Sequence, residues 1–184
     1  MVNSIKNKLL REENDYLHQK IDTICLKELK YFQHLGRKIG PFKVGHPYTL
    51  DNYIARILIE EGFLRYDDGN HITPKTIQKI NFRESTNREL GNIPKSHKHV
   101  YIQAHQELKL LNSLSEKGKK SQRDFKQLHS DVNDLIRVRL AKIIRLAIQT
   151  QNIQSKKTLT TEELILFEEL SRRIKDWRDY LGSV

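Results

Sequence analysis

Apolar residues in the second half of the chain recur at the spacing of a helix. Between Phe125 and Ala147 they return every three or four positions, which places them along one face. The members of this apolar stripe are Phe125, Leu128, Val132, Leu135, Ile136, Leu140, Ile143, Ile144 and Ala147. The pattern predicts a long helix that must bury its stripe against other helices.

Start signals for three more helices surround the long one. Thr73 followed by Pro74 combines an N-cap residue with proline at the first helical position. Pro94 opens a second helix, and the capping box from Thr160 to Glu163 opens the last one. Four helices with short connections predict an antiparallel bundle.

The first 70 residues follow a different pattern. Residues 4–19 predict a helix and Ile21–Leu29 a strand. Glycine and proline then cluster between Gly36 and Pro47, which indicates short strands joined by tight turns. A short amphipathic helix follows and ends at Gly62. We therefore predict a mainly α protein, with a small α/β, strand-containing domain over residues 1–70 and a helical bundle over residues 71–184.

The composition narrows the range of partners. The 184 residues carry a net charge of +10, with a pI near 9.6, which favours nucleic acid or acidic protein surfaces. No apolar run approaches the roughly 20 residues of a membrane helix, so we expect no membrane partner. The N-terminus lacks the apolar core of a signal peptide. We expect an intracellular protein, cytoplasmic in a cell without a nucleus and nuclear in a eukaryote.

Candidate catalytic and metal-binding residues are few. The single cysteine, Cys25, excludes an internal disulfide and a cysteine-based zinc site. On a helix His97 and His99 point to different sides, and His105 lies two turns from His97, so these histidines are expected on the surface. The adjacent acids Glu162 and Glu163 are explained by the helix start. With no phosphate-binding loop or nucleophile elbow, we expect no catalytic residue, metal or cofactor.

Basic residues flank the apolar stripe of the long helix. They are Arg137, Arg139, Lys142 and Arg145. They could contact phosphates of a nucleic acid or form ion pairs with an acidic partner protein. Aromatic residues that could stack on bases are not interleaved with them, which favours the acidic partner.

An ordered set of motifs resembles the GINS subunits. The small-domain part is a G-P-F-x-x-G turn, an apolar strand and a short helix with an A-x-x-L step, formed by Gly40, Pro41, Phe42, Gly45, Tyr48, Tyr53, Ala55 and Leu58. The segment LIRVRLAKIIRLA looks like the central helix of the family's large domain. TLTTEELILFEELSRRI looks like the helix that closes that domain.

The resemblance implies a non-catalytic scaffold. GINS subunits combine a large helical domain A with a small domain B, and the B-then-A order here resembles the second and third Psf proteins. The short length resembles the archaeal form, which implies a heterotetramer of two such chains and two sister subunits of A-then-B order. Further partners implied are the MCM helicase, which the complex activates in DNA replication, a RecJ-like DHH-family protein, and primase or polymerase.

The resemblance also suggests roles for individual residues. Phe42, Tyr48 and Tyr53 would dock the small domain against its own bundle or a neighbour. The expected core or subunit interface consists of Leu135, Leu140, Ile143, Leu164, Phe167 and Trp177. The alternative function is a free-standing basic helical module that binds nucleic acid, and direct DNA contact is left open.

Overall fold

A computed structural model describes residues 4–67, 71–87, 97–149 and 154–182. The chain divides into two compact units. One is Glu13–His71, and the other combines Met1–Glu12 with Ile72–Val184. The first helix, α1 (Ile5–Leu17), crosses the boundary between them. We call the two the small unit and the helical unit and describe each by itself.

The described residues of the small unit contain two antiparallel sheets, one whole helix and the end of α1. In chain order its elements are β1 (Lys20–Cys25), β2 (Phe32–His34), β3 (Arg37–Ile39), β4 (Pro47–Asp51), α2 (Asn52–Glu60) and β5 (Leu64–Tyr66). Strand β1 lies between β4 and β5, whereas β2 and β3 form a separate hairpin. Helix α2 is followed by Gly62, whose φ of +81° suits the left-handed position after a helix.

A single core holds the small unit together. Alternate residues of β1, Thr23 and Cys25, point inward, as the two-residue period of a strand requires. Cys25 is thus a buried thiol, as its apolar neighbours predict. The core residues are Cys25, Phe42, Leu50, Ile54, Ala55, Leu58 and Leu64.

Besides the start of α1, the helical unit contains four long helices within the described residues. They are α3 (Pro74–Thr86), α4 (Val100–Glu116), α5 (Gln122–Ile148) and α6 (Thr161–Gly182), with a 3-10 turn at Gln154–Thr158 before α6. The predicted cap at Thr73 is confirmed, because its side chain accepts a hydrogen bond from the Thr76 backbone at 3.2 Å. The capping box predicted at the start of α6 is also confirmed, since the backbone N–H of Glu163 donates to Thr160 Oγ1 at 3.3 Å. The start predicted at Pro94 lies outside the described residues.

Helix α5 is the centre of the helical unit. Helix α4 joins it through a tight turn at Gly118. The contacts of α5 with α3 advance in the same direction along both helices, from Asp131 and Gln78 to Arg139 and Glu84. Helix α6 also runs parallel to α5, since its contacts advance from Glu163 with Arg139 to Arg178 with Ile148. Parallel α3 and α5 agree with the predicted antiparallel bundle, in which alternate helices point the same way. The parallel pair α5 and α6 contradicts it, because these two helices are consecutive.

Two apolar clusters lie along α5. The first joins α3, α4 and the N-terminal half of α5, and includes Ile77, Ile80, Val100, Ala104, Leu111, Leu128, Val132 and Leu135. The second joins the C-terminal half of α5 to α6 through Ile143, Ala147 and Phe167. The predicted fold class, a mainly α chain with a small strand-containing region before a helical bundle, is confirmed. None of the described helices is long and apolar enough to span a membrane.

Candidate functional site

A buried network of charges lies between the two apolar clusters of the helical unit. At its centre is Arg139 of α5, whose side chain is 0% exposed. Its Nη1 donates to Glu84 Oε1 of α3 at 2.8 Å, and its Nη2 donates to Glu163 Oε2 of α6 at 2.7 Å. Arg139 Nε also donates to Glu163 Oε1. One guanidinium thus joins three helices with the paired geometry that arginine favours.

Lys142 completes the charge balance one turn further along α5. Its Nζ donates to Glu84 Oε2 at 2.7 Å and to the Glu84 carbonyl oxygen at 2.8 Å. Burial by itself lowers the pKa of Arg139, but the hydrogen bonds and charges of Glu163 and Glu84 outweigh it and raise that pKa. Two cations therefore face two carboxylates, which is what a buried cluster needs to offset its loss of water.

The acidic pair at the start of α6 extends the network to α4. Glu162 Oε1 accepts the backbone N–H groups of Tyr101 at 3.2 Å and Ile102 at 3.1 Å. These are N–H groups of the first turn of α4, which have no partner within their own helix. Tyr101 Oη donates to Glu163 Oε1 at 2.6 Å. Burial, more than any other cause, raises the pKa of Glu162 to about 7.

This burial corrects one prediction from the sequence. Arg139 and Lys142 were expected to contact an acidic partner or DNA, but both are enclosed and already paired. Arg137 and Arg145 remain exposed, and Arg137 pairs with Asp134 of its own helix at 3.0 Å. The acids of the network come from separate helices, so their meeting leaves no local pattern in the sequence.

The histidine prediction is also corrected in part. His97 and His99 are buried, and burial followed by the charge of Lys98 lowers the pKa of His99. His105 is exposed, as predicted. In the parts of the chain that the structure describes, no group of three histidine, cysteine or acidic side chains is placed to hold a metal ion.

The apolar stripe of α5 is only partly covered. Leu135 and Ile143 are buried in the two clusters, as is Phe167 of α6, and Leu164 is half-buried. Four residues at four-residue spacing remain 37% to 47% exposed, namely Ile136, Leu140, Ile144 and Ile148. We call these four residues the open stripe.

The last turns of α6 also carry exposed apolar side chains. Trp177 is 65% exposed, and Tyr180 and Leu181 beside it are exposed as well. Arg178 lies close to the end of α5, where its Nη2 donates to the carbonyl oxygen of Ile148 at 3.1 Å. The final turns of α6 thus present apolar area at the end of the open stripe.

The small-domain motif serves the core of its own unit. Gly40 has a φ of +127°, and a Cβ there would lie 2.9 Å from the carbonyl oxygen of Lys30, so only glycine fits. Phe42 is buried, and the Tyr48 ring meets it edge-on at a centroid distance of 4.9 Å.

Other residues of the motif have similar structural roles. Ala55 and Leu58 face the same core, and Tyr48 Oη accepts the N–H of Lys43 at 2.8 Å. Tyr53 packs against the rings of His18 and His34. Phe42 is therefore enclosed within the small unit and is not a docking residue, which corrects that expectation.

Comparison with known families identifies the bundle. Residues 71–182 match the Sld5 family model, described as the GINS complex protein helical bundle domain. The chain belongs to the GINS complex protein family. The matched segment contains α3 to α6 and with them the whole buried charge network. A comparison with curated proteins gives no significant match.

Family membership gives the helical unit its role. It is the GINS helical bundle domain, and membership implies a place in a hetero-oligomeric GINS complex in DNA replication. Residues 4–67 lie before the matched segment. The resemblance found in the sequence is therefore confirmed at the level of the family.

Proposed function

We propose that this chain is the non-catalytic, B-then-A subunit of a GINS complex and that it scaffolds and activates the MCM helicase. In this proposal residues 1–70 form domain B and residues 71–184 form domain A. The match of the bundle to the GINS helical domain supports it, as does the strand-containing unit ahead of the bundle. The subunit class is that of the second and third Psf proteins.

The observation that carries the proposal is the open stripe on α5. A helix in a self-contained bundle buries its apolar face, whereas here four aliphatic side chains remain partly exposed along three successive turns. Contiguous apolar surface of this kind marks a protein interface. In this proposal Leu140 in the stripe and Trp177 on α6 serve the interface, and the other four residues of the predicted set, Leu135, Ile143, Leu164 and Phe167, serve the core.

The proposed occupant of the open stripe is a sister GINS subunit of A-then-B order. Two copies of each chain would form a heterotetramer, which in turn would meet MCM, a RecJ-like DHH-family protein, and primase or polymerase. The exposed arginines Arg137 and Arg145 lie on the same helix as the stripe and could pair with acids of a partner. No catalytic group is required for any of these roles.

Co-expression with an A-then-B sister subunit tests the assembly. We expect a stable complex whose mass, measured by light scattering on a sizing column, equals two copies of each chain. Ile144→Glu, which places a charge inside the stripe, should abolish the complex. A wild-type chain that stays apart from every sister subunit tried would refute the proposal.

A matched control separates interface loss from unfolding. His105→Glu adds the same charge at an exposed position on α4, away from the stripe, and should leave the complex intact. Thermal unfolding of both variants by circular dichroism should show that each remains folded. Equal loss of assembly in the two variants would show that the stripe has no special role.

The free-standing nucleic-acid module is the less favoured function. It predicts a chain that works alone, whereas the bundle matches a domain of a multi-subunit complex. Two of the four basic residues of α5 that would have supported it, Arg139 and Lys142, are buried.

A further inference from the structure

Helix α3 presents an aromatic ring to solvent among cations. Phe82 is 71% exposed, which is unusual for so large an apolar side chain. A shallow surface depression around it is lined by Lys75, Gln78, Lys79, Phe82 and Arg83. We call these five residues the α3 patch. All five are exposed, and Gln78 also donates a hydrogen bond to Asp131 of α5 at 3.0 Å.

The patch is set apart from the structural side of the same helix. Ile77, Ile80 and Glu84 are buried and hold α3 in place, whereas Lys75, Lys79, Phe82 and Arg83 of the α3 patch are exposed. Substitutions at these four positions therefore should not disturb the fold. In the described part of the chain, the Phe82 ring packs into none of the apolar clusters.

The three cations of the patch are available to a ligand. Over the described residues, Lys75, Lys79 and Arg83 form no ion pair with an acidic side chain. By contrast, some exposed cations of the bundle are paired, as Arg137 is with Asp134 at 3.0 Å. The unpaired charge at the α3 patch thus favours an anionic ligand.

The spacing of the cations fits a chain of phosphates. Lys75, Lys79 and Arg83 are four residues apart, so successive charges lie about 6 Å apart along the helix axis. That step is comparable to one nucleotide of an extended strand. Phe82 follows Lys79 by three residues and Lys75 by seven, so it lies on the same side of α3 as those two lysines, where a base attached to that backbone could reach it.

From these observations we infer that the α3 patch binds single-stranded nucleic acid, with one base stacked on Phe82 and the backbone phosphates on the three cations. A flat, open ring suits base stacking, which tolerates any sequence. An apolar peptide anchor would instead need a pocket with other apolar walls, and Phe82 is the only apolar residue of the patch. Bases of a duplex are stacked on each other and cannot cover the ring.

Substitutions at Phe82 test the stacking contact directly. Binding of a fluorescein-labelled oligothymidylate to the full chain is measured by fluorescence anisotropy. Phe82→Ala should weaken binding by roughly 5- to 100-fold, the range of one base–aromatic contact. Phe82→Tyr should bind like the wild type and Phe82→Leu like Phe82→Ala. Wild-type binding by Phe82→Leu, or by Phe82→Ala, would overturn the inference.

Charge substitutions test the phosphate contacts. Replacing Lys75, Lys79 and Arg83 together by glutamine should reduce the slope of log affinity against log salt by about 2, since each lost contact removes about 0.7. The control replaces three exposed lysines near the α4–α5 turn, Lys119, Lys120 and Lys126, by glutamine. Equal losses in both triple variants would show that charge alone matters and would overturn the site.

Two competing ligands complete the test. A hairpin duplex should bind more weakly than oligothymidylate and without dependence on Phe82. Polyglutamate should not replace oligothymidylate at the patch, and a Phe82-dependent preference for polyglutamate would overturn the inference in favour of an acidic protein partner. Because the readout is nucleic-acid binding by the chain alone, this test can fail while the assembly with a sister subunit succeeds.

Discussion

Arg139 of α5 donates to Glu84 of α3 at 2.8 Å in a site where both side chains are almost fully buried. A charged pair in such a position stabilises the fold only while it is complete, because each partner has lost its water. Glu163 and Lys142 bring the cluster to two charges of each sign. The stability of the bundle therefore depends on this balance.

Removing the central arginine should strongly destabilise the helical unit. Arg139→Ala leaves Glu84 and Glu163 with one buried cation between them. We expect the free energy of unfolding, measured by urea denaturation, to fall by about 3 to 5 kcal/mol.

Arg137→Ala on the same helix is the matched control for Arg139→Ala. Arg137 and Asp134 form an exposed pair, and such pairs contribute less than about 1 kcal/mol. Similar losses in the two variants would contradict the central role given to Arg139.

Glu162 makes the stability depend on pH. Its pKa is raised from 4.5 to about 7, so the folded state holds the proton more tightly than the unfolded state. The resulting stabilisation is fully present below about pH 4.5 and is lost as the pH rises through about 7. Glu162→Gln keeps an acceptor for the α4 N–H groups without a charge. Relative to the wild type, it should gain up to about 3 kcal/mol by pH 8.

Urea unfolding at several pH values checks this expectation. The difference between Glu162→Gln and the wild type should grow from about pH 4.5 to pH 7 and then level off. The lowered pKa of His99 acts with the opposite sign, since its contribution is lost as the pH falls below 6.5. His99 is present in both proteins and cancels in the difference. A difference that does not change with pH would contradict the burial of a titrating Glu162.

Two aromatic residues of α6 should respond differently to truncation. Phe167 is buried against Ile143 and Ala147, so Phe167→Ala should cost about 3 to 5 kcal/mol in the isolated chain. Trp177 is mostly exposed, so Trp177→Ala should change the unfolding free energy by less than about 1 kcal/mol.

Assembly with a sister subunit should depend on Trp177 even though the stability of the isolated chain does not. If Trp177 belongs to the proposed interface, Trp177→Ala should weaken the complex while the melting temperature of the isolated chain stays the same. A large fall in that melting temperature would show that Trp177 packs within its own chain.

The turn at Gly40 should tolerate no side chain. Gly40→Ala would place a Cβ 2.9 Å from the carbonyl oxygen of Lys30 as well as straining the backbone, so we expect a loss of about 2 kcal/mol or more. In Gly36→Ala the added Cβ would meet no atom within 4 Å. Only the strain of the left-handed backbone remains, so the free energy of unfolding should fall by about 1 kcal/mol. Chemical denaturation monitored by tyrosine fluorescence would compare them, and equal losses would contradict the close approach to Lys30.

Local rules were enough to predict most of the fold. The caps at Thr73 and Thr160 define helix starts through contacts within four residues. The helical spacing of the apolar residues in α5 indicates that one side of this helix is buried. The direction of α6 was predicted wrongly because it depends on long-range contacts. Those contacts, such as Arg178 with Ile148, leave no periodic trace.

The site was less accessible to sequence reasoning. Arg139 and Lys142 share the buried side of α5 with Leu135 and Ile143, and that placement was the one available sign of burial. Their partners are 24 to 58 residues away in the sequence and could not be paired without the fold. The α3 patch was missed because Phe82 fits a helix as well as any other residue, and only its exposure distinguishes it.

The position of Arg139 between the two apolar clusters of α5 has a consequence for motion. Its guanidinium is satisfied only while α3 and α6 are both docked, so separating either helix leaves a carboxylate or the guanidinium without its partner inside the protein. The two ends of the bundle should therefore not unfold locally and independently of each other. Helices α3 and α6 should open together as one cooperative unit, even though they are attached to opposite halves of α5.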